Sequence, residues 1–258
     1  MKIIRYQTSR RKAGYGWILE DKIGPIQGDI FGAYQRGEAR TPLEKVQLLP
    51  PVVPSKIICV ARNYAAHAAE HGAPVPEATV LFFKPPSAVI GDGDPIRIPP
   101  QAERVEHEAE LAVVIGKGGR WIDPAQANEH ILGYTIANDV TERIFQRKDQ
   151  LWTRSKGFDT FAPIGPWIET DFNTADAIIS CRVNDDLRQM TSTREMVFLV
   201  EQLISFASSF MTLVPGDVIL TGTPEGVGAL VPGDIVEVEI EGIGSLSNPV
   251  IQEEREGS

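Results

Sequence analysis

The chain has 258 residues, and its 42% hydrophobic and 7% aromatic content indicates a folded globular protein rather than a disordered one. A formal net charge of −10, with no long run of basic residues, disfavours binding to nucleic acid or to an anionic membrane surface. The two cysteines, the polar start of the chain and the lack of a long apolar segment lead us to expect a cytoplasmic protein without a membrane span.

The beginning of the chain predicts a small β-rich unit. Residues 14–24 contain two strand-like stretches that are joined by a polar turn. The proline-bounded segment 50–54 follows them and has the composition of a linker. We therefore expect an accessory domain over residues 1–52, packed on a main domain over residues 53–258.

A histidine-containing segment follows the linker. His67, Glu70 and His71 have the spacing H-x-x-E-H, and on a helix the two histidines would share one face and could chelate zinc, as in the inverted zinc peptidases. A pattern this loose is more often an ordinary surface helix. A third interpretation is a His67–Glu70 pair that activates water.

Three carboxylates lie around a continuous apolar run. Glu108 and Glu110 flank the start of the apolar residues 111–115, and Asp139 follows the apolar stretch 134–138. Side chains two residues apart in a strand point to the same face, so the two glutamates would lie side by side. Such oxygen ligands suit magnesium, manganese or calcium. The alternative is a solvated strand face, which Glu106 would extend.

Few helices are predicted. The segments are Pro124–His130, Glu142–Gln150 and Arg194–Phe210. In the last of them, Ser192 and Glu195 form a capping-box pattern. An apolar stripe follows at helical spacing: Val197, Val200, Ile204 and Ala207.

The last third of the chain is predicted to be strand-rich. Val-Pro-Gly-Asp occurs at 214–217 and 231–234, and each copy precedes a β-branched strand, Val218–Leu220 and Ile235–Ile240. With the short apolar segments before it, this pattern indicates a mixed α+β protein that is mainly β.

Two further segments contain candidate ligand-binding residues. Lys156 is a single lysine among apolar and small residues, where it is either solvated or able to stabilise a developing oxyanion. Residues 222–228 are glycine-rich but lack the ending of a nucleotide-binding phosphate loop. We interpret them as a tight turn that brings Thr223 close to a small anionic ligand.

Taken in order, these motifs resemble those of the fumarylacetoacetate hydrolase family, in particular its acylpyruvase and 2-hydroxyhepta-2,4-diene-1,7-dioate isomerase branch. The likeness covers most of the chain from Lys56 to Val250. Its motifs are Arg62-Asn63-Tyr64 with His67, Leu81–Pro85, Glu108–Leu111 leading into Ile115–Lys117, Gly133-Tyr134 with Asn138-Asp139, Lys156 with Phe158, and Thr221–Gly228.

The resemblance implies a β-roll core with short flanking helices, a homodimer, and a magnesium or manganese ion held by Glu108, Glu110 and Asp139. It implies that His67 and Glu70 lie on a lid helix and activate water, which disfavours the zinc interpretation.

The remaining site residues also follow from the resemblance. Lys156 is expected beside the metal and substrate as a catalytic residue, with Gln146 and Thr223 lining the same site. Arg62 and Arg143 are expected to bind a substrate carboxylate.

The implied activity is hydrolysis of a carbon–carbon bond in an acylpyruvate-like 2,4-dioxo acid, through a metal-stabilised enolate. The presence of both His67 and Glu70 favours hydrolysis. The alternatives are isomerisation or decarboxylation of an unsaturated oxo-diacid, or decarboxylation of oxaloacetate, because the same enolate forms there without attack by water. The expected partner is a small anionic 2-oxo acid.

Overall fold

The structure is a computed structural model that describes residues 1–8, 13–70 and 72–254. It is mostly β, with 43% strand and 18% helix, which confirms the predicted class. Within the described residues, no helix is both long and apolar enough to cross a bilayer.

Short strands are the main secondary structure of the described chain. They are Lys2–Gln7 (β1), Gly14–Leu19 (β2), Lys22–Gly28 (β3), Tyr34–Arg36 (β4), Thr41–Pro42 (β5), Gln47–Leu49 (β6), Ile57–Ala61 (β7), Val80–Lys84 (β8), Val89–Ile90 (β9), Ile96–Ile98 (β10), Val105–His107 (β11), Ala109–Ile115 (β12), Ile131–Asn138 (β13), Thr141–Glu142 (β14), Ala162–Glu169 (β15), Ile178–Val183 (β16), Asp186–Ser192 (β17), Val218–Leu220 (β18), Gly228–Ala229 (β19), Ile235–Ile240 (β20) and Gly244–Gln252 (β21).

The helices are short. The α-helices are Ala65–Glu70 (α1), Arg143–Asp149 (α2), Thr153–Lys156 (α3) and Val200–Phe210 (α4). Single turns of 3₁₀-helix cover Leu43–Lys45, Pro86–Ala88 and Thr193–Glu195, and a longer one covers Pro124–His130.

The described strands form three sheets. The largest has the order β4-β3-β2-β1-β15-β13-β12-β18-β7-β8, with β5, β6 and β9 pairing at its sides. A second sheet has the order β10-β21-β20-β16-β17, and a small third sheet has the order β14-β11-β19. β12 therefore lies inside the largest sheet, antiparallel to both β13 and β18.

Every residue of β12 is buried, because the strand has an apolar core on each face. Leu111, Val113 and Ile115 belong to one buried cluster, whereas Ala112 and Val114 belong to another. Successive side chains of a strand point to opposite faces, so both faces of this strand need apolar residues. This explains why the sequence shows no polar alternation there.

The N-terminal strands continue the main sheet. β1 pairs antiparallel with β15, with Lys2 opposite Glu169 and Ile3 opposite Ile168. Ile3 is fully buried in the same cluster as Ala112 of β12. The boundary between residues 1–52 and 53–258 stays a prediction.

The predicted helix Arg194–Phe210 is wrong at its start. Ser192 Oγ accepts a hydrogen bond from the backbone N–H of Arg194 at 3.2 Å, but it caps only the 3₁₀ turn. The chain is extended at Met196 and Leu199 with a bend between them, and α4 begins at Val200. Val197 therefore lies outside the helix, whereas the other members of the predicted stripe are buried within it: Val200, Ile204 and Ala207.

The other predicted elements are close to those observed. Pro124–His130 is helical but of the 3₁₀ type, and Asp123 caps it by accepting from the N–H of Ala125 at 2.9 Å. The predicted helix Glu142–Gln150 corresponds to α2, with Glu142 as its N-cap. The strands predicted after the two Val-Pro-Gly-Asp turns are β18 and β20.

Candidate active site

The three predicted metal ligands meet where β12 begins and β13 ends. One oxygen atom from each of Glu108, Glu110 and Asp139 lies within 4.8 Å of the others, and all three residues are buried. The N–H of Asp139 donates to the carbonyl of Glu108 at 2.8 Å, and the N–H of Glu108 donates to Asn138 Oδ1 at 2.9 Å. The strand pairing thus fixes the backbone of two of the carboxylates.

Two buried lysines contact this cluster. Lys156 Nζ lies 2.7 Å from Glu108 Oε2 and 2.6 Å from Asp139 Oδ2. Lys84 Nζ lies 2.5 Å from Asp139 Oδ1 and 2.9 Å from the carbonyl of Val140. Sequence reasoning selected Lys156 but not Lys84. Lys84 could have been found from its position at the end of the apolar strand β8, because it lies within Leu81–Pro85, one of the motifs of the family resemblance.

Lys156 stays cationic in this environment. Burial acts to lower the pKa of Lys156, but the carboxylates of Asp139 and Glu108 outweigh it and raise the pKa above the usual value. A lysine of this kind stabilises negative charge and is not suited to act as a base.

Glu108 is similarly held in its charged form. Burial acts to raise the pKa of Glu108, but Lys156 and Arg143 outweigh it and hold the pKa of this carboxyl well below its ordinary value. Arg143 reaches Glu108 Oε1 from α2 at 2.7 Å.

Glu110 has the opposite electrostatics. Burial raises the pKa of Glu110 well above its ordinary value, and the charges of Asp139 and Glu108 raise it further. Among the described residues Glu110 forms no ion pair, and its carboxylate accepts the N–H of Gly222 at 2.6 Å. A buried all-oxygen donor set with one uncompensated carboxylate fits a hard divalent cation.

Arg143 is committed to partners within the protein. Its Nε and Nη2 atoms each lie 2.7 Å from a carboxylate oxygen, of Glu106 and Glu108 respectively, and Nη1 donates to Gln146 Oε1 at 2.6 Å. Arg104 also contacts Glu106, at 2.6 Å. Glu106 is therefore a buried partner of two arginines, and the alternative of a solvated strand face is wrong for it.

A cavity of about 390 Å³ opens above the carboxylates. All of the predicted site residues except Glu70 line it. Its wall also contains Phe82 and Trp152, which pack edge to face at a centroid distance of 5.1 Å. Arg147, which sequence reasoning did not select, lies in the same wall.

His67 and Glu70 lie on α1, three residues apart. His67 Nδ1 is 3.4 Å from a carboxylate oxygen of Glu70, and the carboxylate of Glu70 accepts the N–H of Gly226 at 3.1 Å. His67 lines the cavity, and Glu70 lies on the Nδ1 side of its ring. His71, the second histidine of the zinc interpretation, lies outside the described residues.

The mostly-β fold brings buried carboxylates, two lysines and a His–Glu pair together at one cavity. This group of side chains has the features of an enzyme active site. The chain belongs to the fumarylacetoacetate hydrolase family. Residues 56–251 match the family model described as Fumarylacetoacetate (FAA) hydrolase C-terminal, and residues 1–51 match the one described as Rv2993c-like, N-terminal. The family recognised from the sequence motifs is thereby confirmed.

Some of the similar proteins carry the names of isomerases or tautomerases. A Xenopus laevis protein named oxaloacetate tautomerase fahd2, mitochondrial, is 47% identical over 219 residues, which cover 80% of this chain and 69% of that protein. The structure of 5-carboxymethyl-2-hydroxymuconate delta-isomerase from Mycobacterium smegmatis has a TM-score of 0.92 at 44% identity and covers 98% of this chain and 100% of the other. That of 2-hydroxyhepta-2,4-diene-1,7-dioate isomerase from Mycobacterium marinum has a TM-score of 0.92 at 40% identity, covering 99% and 100%.

Proposed function

We propose that this protein is a divalent-metal-dependent enzyme that moves a proton between the enol and keto forms of a small 2-oxo dicarboxylic acid. The observation that carries the proposal is the meeting of three groups in one cavity: the carboxylate cluster with its uncompensated Glu110, the cationic Lys156, and His67. Enolisation of a 2-oxo acid needs stabilisation of an oxyanion and a group that exchanges a proton with carbon.

Glu108, Glu110 and Asp139 are the residues that would hold the cation, which we propose to be magnesium or manganese. When bound, it supplies a Lewis-acid charge that offsets negative charge developing on the substrate. Lys156 adds a fixed positive charge at the same place, because its ammonium group lies against Glu108 and Asp139.

In this proposal His67 moves the proton. Glu70 contacts the Nδ1 side of the imidazole and His67 lines the cavity, so we propose that its Nε2 atom exchanges the proton with a ligand. A proton leaves the enol oxygen and a proton is added to the adjacent carbon, so the reaction is balanced without a co-substrate. Three relatives are named as a tautomerase of oxaloacetate or as isomerases of unsaturated hydroxy acids, and reactions of these classes include proton shifts of this kind.

The substrate contacts that we propose depend on which arginines of the cavity wall form ion pairs within the described residues. Arg62 lines the cavity and forms no ion pair within the described residues, whereas Arg143 is held by Glu106 and Glu108. We propose that Arg62 binds a carboxylate of the diacid and that Arg143 acts through Glu108.

The test uses enol-oxaloacetate and protein that has been stripped of metal with EDTA. Loss of the ultraviolet absorbance of the enol is followed with and without added magnesium, against buffer and against buffer with magnesium. We expect ketonisation to be accelerated only when protein and magnesium are both present. Equal rates with and without protein would contradict the proposal.

Hydrolysis of an acylpyruvate is the second candidate, and the His67–Glu70 pair favours it because a carboxylate–imidazole pair can deprotonate water. Pyruvate release from a short-chain acylpyruvate, measured on the same samples, tests it. Carbon dioxide release from oxaloacetate tests the decarboxylase alternative. A tautomerase yields neither product above the buffer rate.

We also propose that the protein is a cytoplasmic homodimer. The edge strand β17 exposes Leu187 and Met190, at 48% and 60%, and an edge strand with apolar side chains is suited to pairing with another copy. Cys59 and Cys181 are both free and buried, as in a protein kept reduced. Sedimentation velocity and cell fractionation test these two proposals, and a monomer at micromolar concentration would contradict the first.

A further inference from the structure

Gln189 joins the cavity wall to the strand of the carboxylates without lining the cavity. It lies on β17, opposite Cys181 of β16, and is 1% exposed. Its side-chain amide bonds to the backbone of Ala109, to Pro224 and to Thr223. The second sheet thus contacts the candidate site through one buried amide.

The orientation of this amide is fixed by two backbone groups. The N–H of Ala109 can only donate, and it donates to Gln189 Oε1 at 3.1 Å. The carbonyl of Pro224 can only accept, and it accepts from Gln189 Nε2 at 2.9 Å. Exchanging the oxygen and nitrogen positions would break both bonds, so the donor side of the amide faces Pro224.

This orientation determines what the hydroxyl of Thr223 can do. Gln189 Nε2 donates its second hydrogen to Thr223 Oγ1 at 2.9 Å, so the hydroxyl oxygen is already an acceptor. Its own hydrogen meets no acceptor among the described residues, and Thr223 lines the cavity. The hydroxyl is therefore left with a hydrogen to donate into the cavity.

The hydrogen bonds of Gln146 follow the same pattern as those of Thr223. Arg143 Nη1 donates a hydrogen bond to Gln146 Oε1, and Gln146 lines the cavity. Gln146 and Thr223 thus each accept a hydrogen bond from within the protein and each keep a hydrogen that meets no acceptor among the described residues. A cavity with this polarity selects a ligand that is rich in acceptor oxygens.

We propose that Gln189 is a positioning residue that sets the hydroxyl of Thr223 as a hydrogen-bond donor to an anionic oxygen of the bound oxo acid. This inference rests on the proposed function, because the ligand it describes is the one proposed there. Gln189 touches no ligand itself and acts through Thr223.

Gln189 also accepts from His107 Nδ1 at 3.0 Å, so a purely structural role has to be distinguished from positioning. The two roles differ in whether the effect of a substitution at Gln189 depends on the presence of the Thr223 hydroxyl. A positioning role disappears when the Thr223 hydroxyl is removed, whereas loosened packing or an added charge weakens binding whether or not the hydroxyl is present.

The experiment measures oxalate binding by calorimetry to the full chain in the presence of magnesium. Oxalate is a small dianion with acceptor oxygens only. The variants are Gln189→Glu, which keeps the acceptor for Ala109 but loses the donors, Gln189→Met, which introduces no titratable group, Thr223→Val, and the two double variants. Thr223→Ser, which keeps a hydroxyl, is the matched control.

We expect each single variant at Gln189, and Thr223→Val, to weaken oxalate binding about tenfold, the loss typical of one hydrogen bond to a charged group. We expect Thr223→Ser to stay within about twofold of the wild type. Each double variant should be no weaker than about the weaker of its single variants. Losses that multiply in the double variants, or Gln189 variants that bind as the wild type does, would overturn the proposal.

Two further outcomes separate the possible failures. If neither Gln189 variant folds, Thr223→Val and Thr223→Ser still decide whether the hydroxyl is a donor, and equal affinities of these two would overturn the inference. If the wild type itself does not bind oxalate with magnesium, the proposed function fails and this inference fails with it. If the wild type binds oxalate but the effects of the Gln189 and Thr223 substitutions are independent of each other, only the role of Gln189 is refuted.

Discussion

Glu108 and Glu110 are chemically identical side chains, two residues apart on the same face, yet their pKa values shift in opposite directions. Lys156 and Arg143 reach Glu108 and outweigh its burial. Among the described residues, Glu110 accepts only the backbone N–H of Gly222, and its neighbours Asp139 and Glu108 are anions. The difference is therefore set by where the cations enter the cluster, and it makes Glu110 the carboxylate with the most to gain from a bound cation.

A Glu110→Gln substitution tests this asymmetry. A carboxyl whose pKa rises on folding costs stability near neutral pH, so removing the charge should raise the melting temperature of EDTA-treated protein by about 2–4 °C. The same change should weaken magnesium binding by at least about tenfold, because a ligand is lost. Calorimetric unfolding and magnesium titration measure the two effects.

Glu106→Gln is the matched control, and its effect on stability should have the opposite sign. Burial acts to raise the pKa of Glu106, but Arg143 and Arg104 outweigh it and lower the pKa. A carboxyl whose pKa falls on folding contributes stability near neutral pH, so its replacement should lower the melting temperature. Two shifts of the same sign would contradict the opposite pKa shifts of Glu106 and Glu110.

Glu70→Gln tests the proton-transfer pair. The amide oxygen can still accept the N–H of Gly226, so α1 should be retained, but the charge that supports His67 is lost. We expect the magnesium-dependent rate to fall about a hundredfold and the magnesium dissociation constant to stay within about twofold. Glu77→Gln, at an exposed position, should change neither. A full rate in Glu70→Gln would exclude Glu70 from the mechanism.

At the residue scale, the sequence predicted which carboxylates meet but not every cation that neutralises them. Strand periodicity brings Glu108 and Glu110 to one face, and the end of an apolar stretch marks Asp139. Lys84 comes from β8, which shares no local pattern with those strands. Glu106 continues the alternation of a solvated face, and only the tertiary contacts with Arg104 and Arg143 make it buried. The alternation of polar and apolar residues along one strand does not specify which distant elements will contact it.

At the element scale, local pattern succeeded for β12 and failed at the start of α4. The apolar run of β12 has one structural solution, a strand covered on both faces. Residues before Val200 have a helical pattern, but the N–H groups of Val197 and Phe198 instead bond to the backbone carbonyl and side-chain oxygen of Asn63. The backbone bonds that would continue the helix are thus used to attach this segment to the chain preceding α1.

Asn63→Ala tests the importance of that attachment. The side chain of Asn63 also donates to the carbonyls of Phe198, at 3.0 Å, and Thr221, at 2.8 Å, and the residue is fully buried. Its loss leaves three backbone groups without partners, so the free energy of unfolding in urea should fall by about 3 kcal/mol. Asn128→Ala removes only an exposed contact of 3.5 Å to Glu201 and should cost less than about 0.5 kcal/mol. Similar losses in both variants would contradict this account.

At the scale of the whole molecule, the continuous sheet couples the N-terminal strands to the strands that carry the site. β1 joins β15, β15 joins β13, and Asp139 directly follows the last residue of β13. Ile3 and Ile26 are buried in the cluster that also contains Val114 of β12. The sequence predicted a small β-rich unit before the proline-bounded linker, packed on the rest of the chain. Composition marks where a chain turns, but it does not specify which strands will pair.

Ile3→Ala therefore measures whether the chain unfolds as one unit. Ile3 is fully buried, so the substitution should lower the free energy of unfolding by about 2–5 kcal/mol, whereas Val53→Ala, at a side chain that is 68% exposed, should change it by less than about 0.5 kcal/mol. Because the apolar cluster spans both parts of the chain, unfolding of Ile3→Ala should remain a single transition, coincident by circular dichroism and tryptophan fluorescence. An early, separate transition in this variant would mean that residues 1–52 unfold independently of the strands that hold the carboxylates.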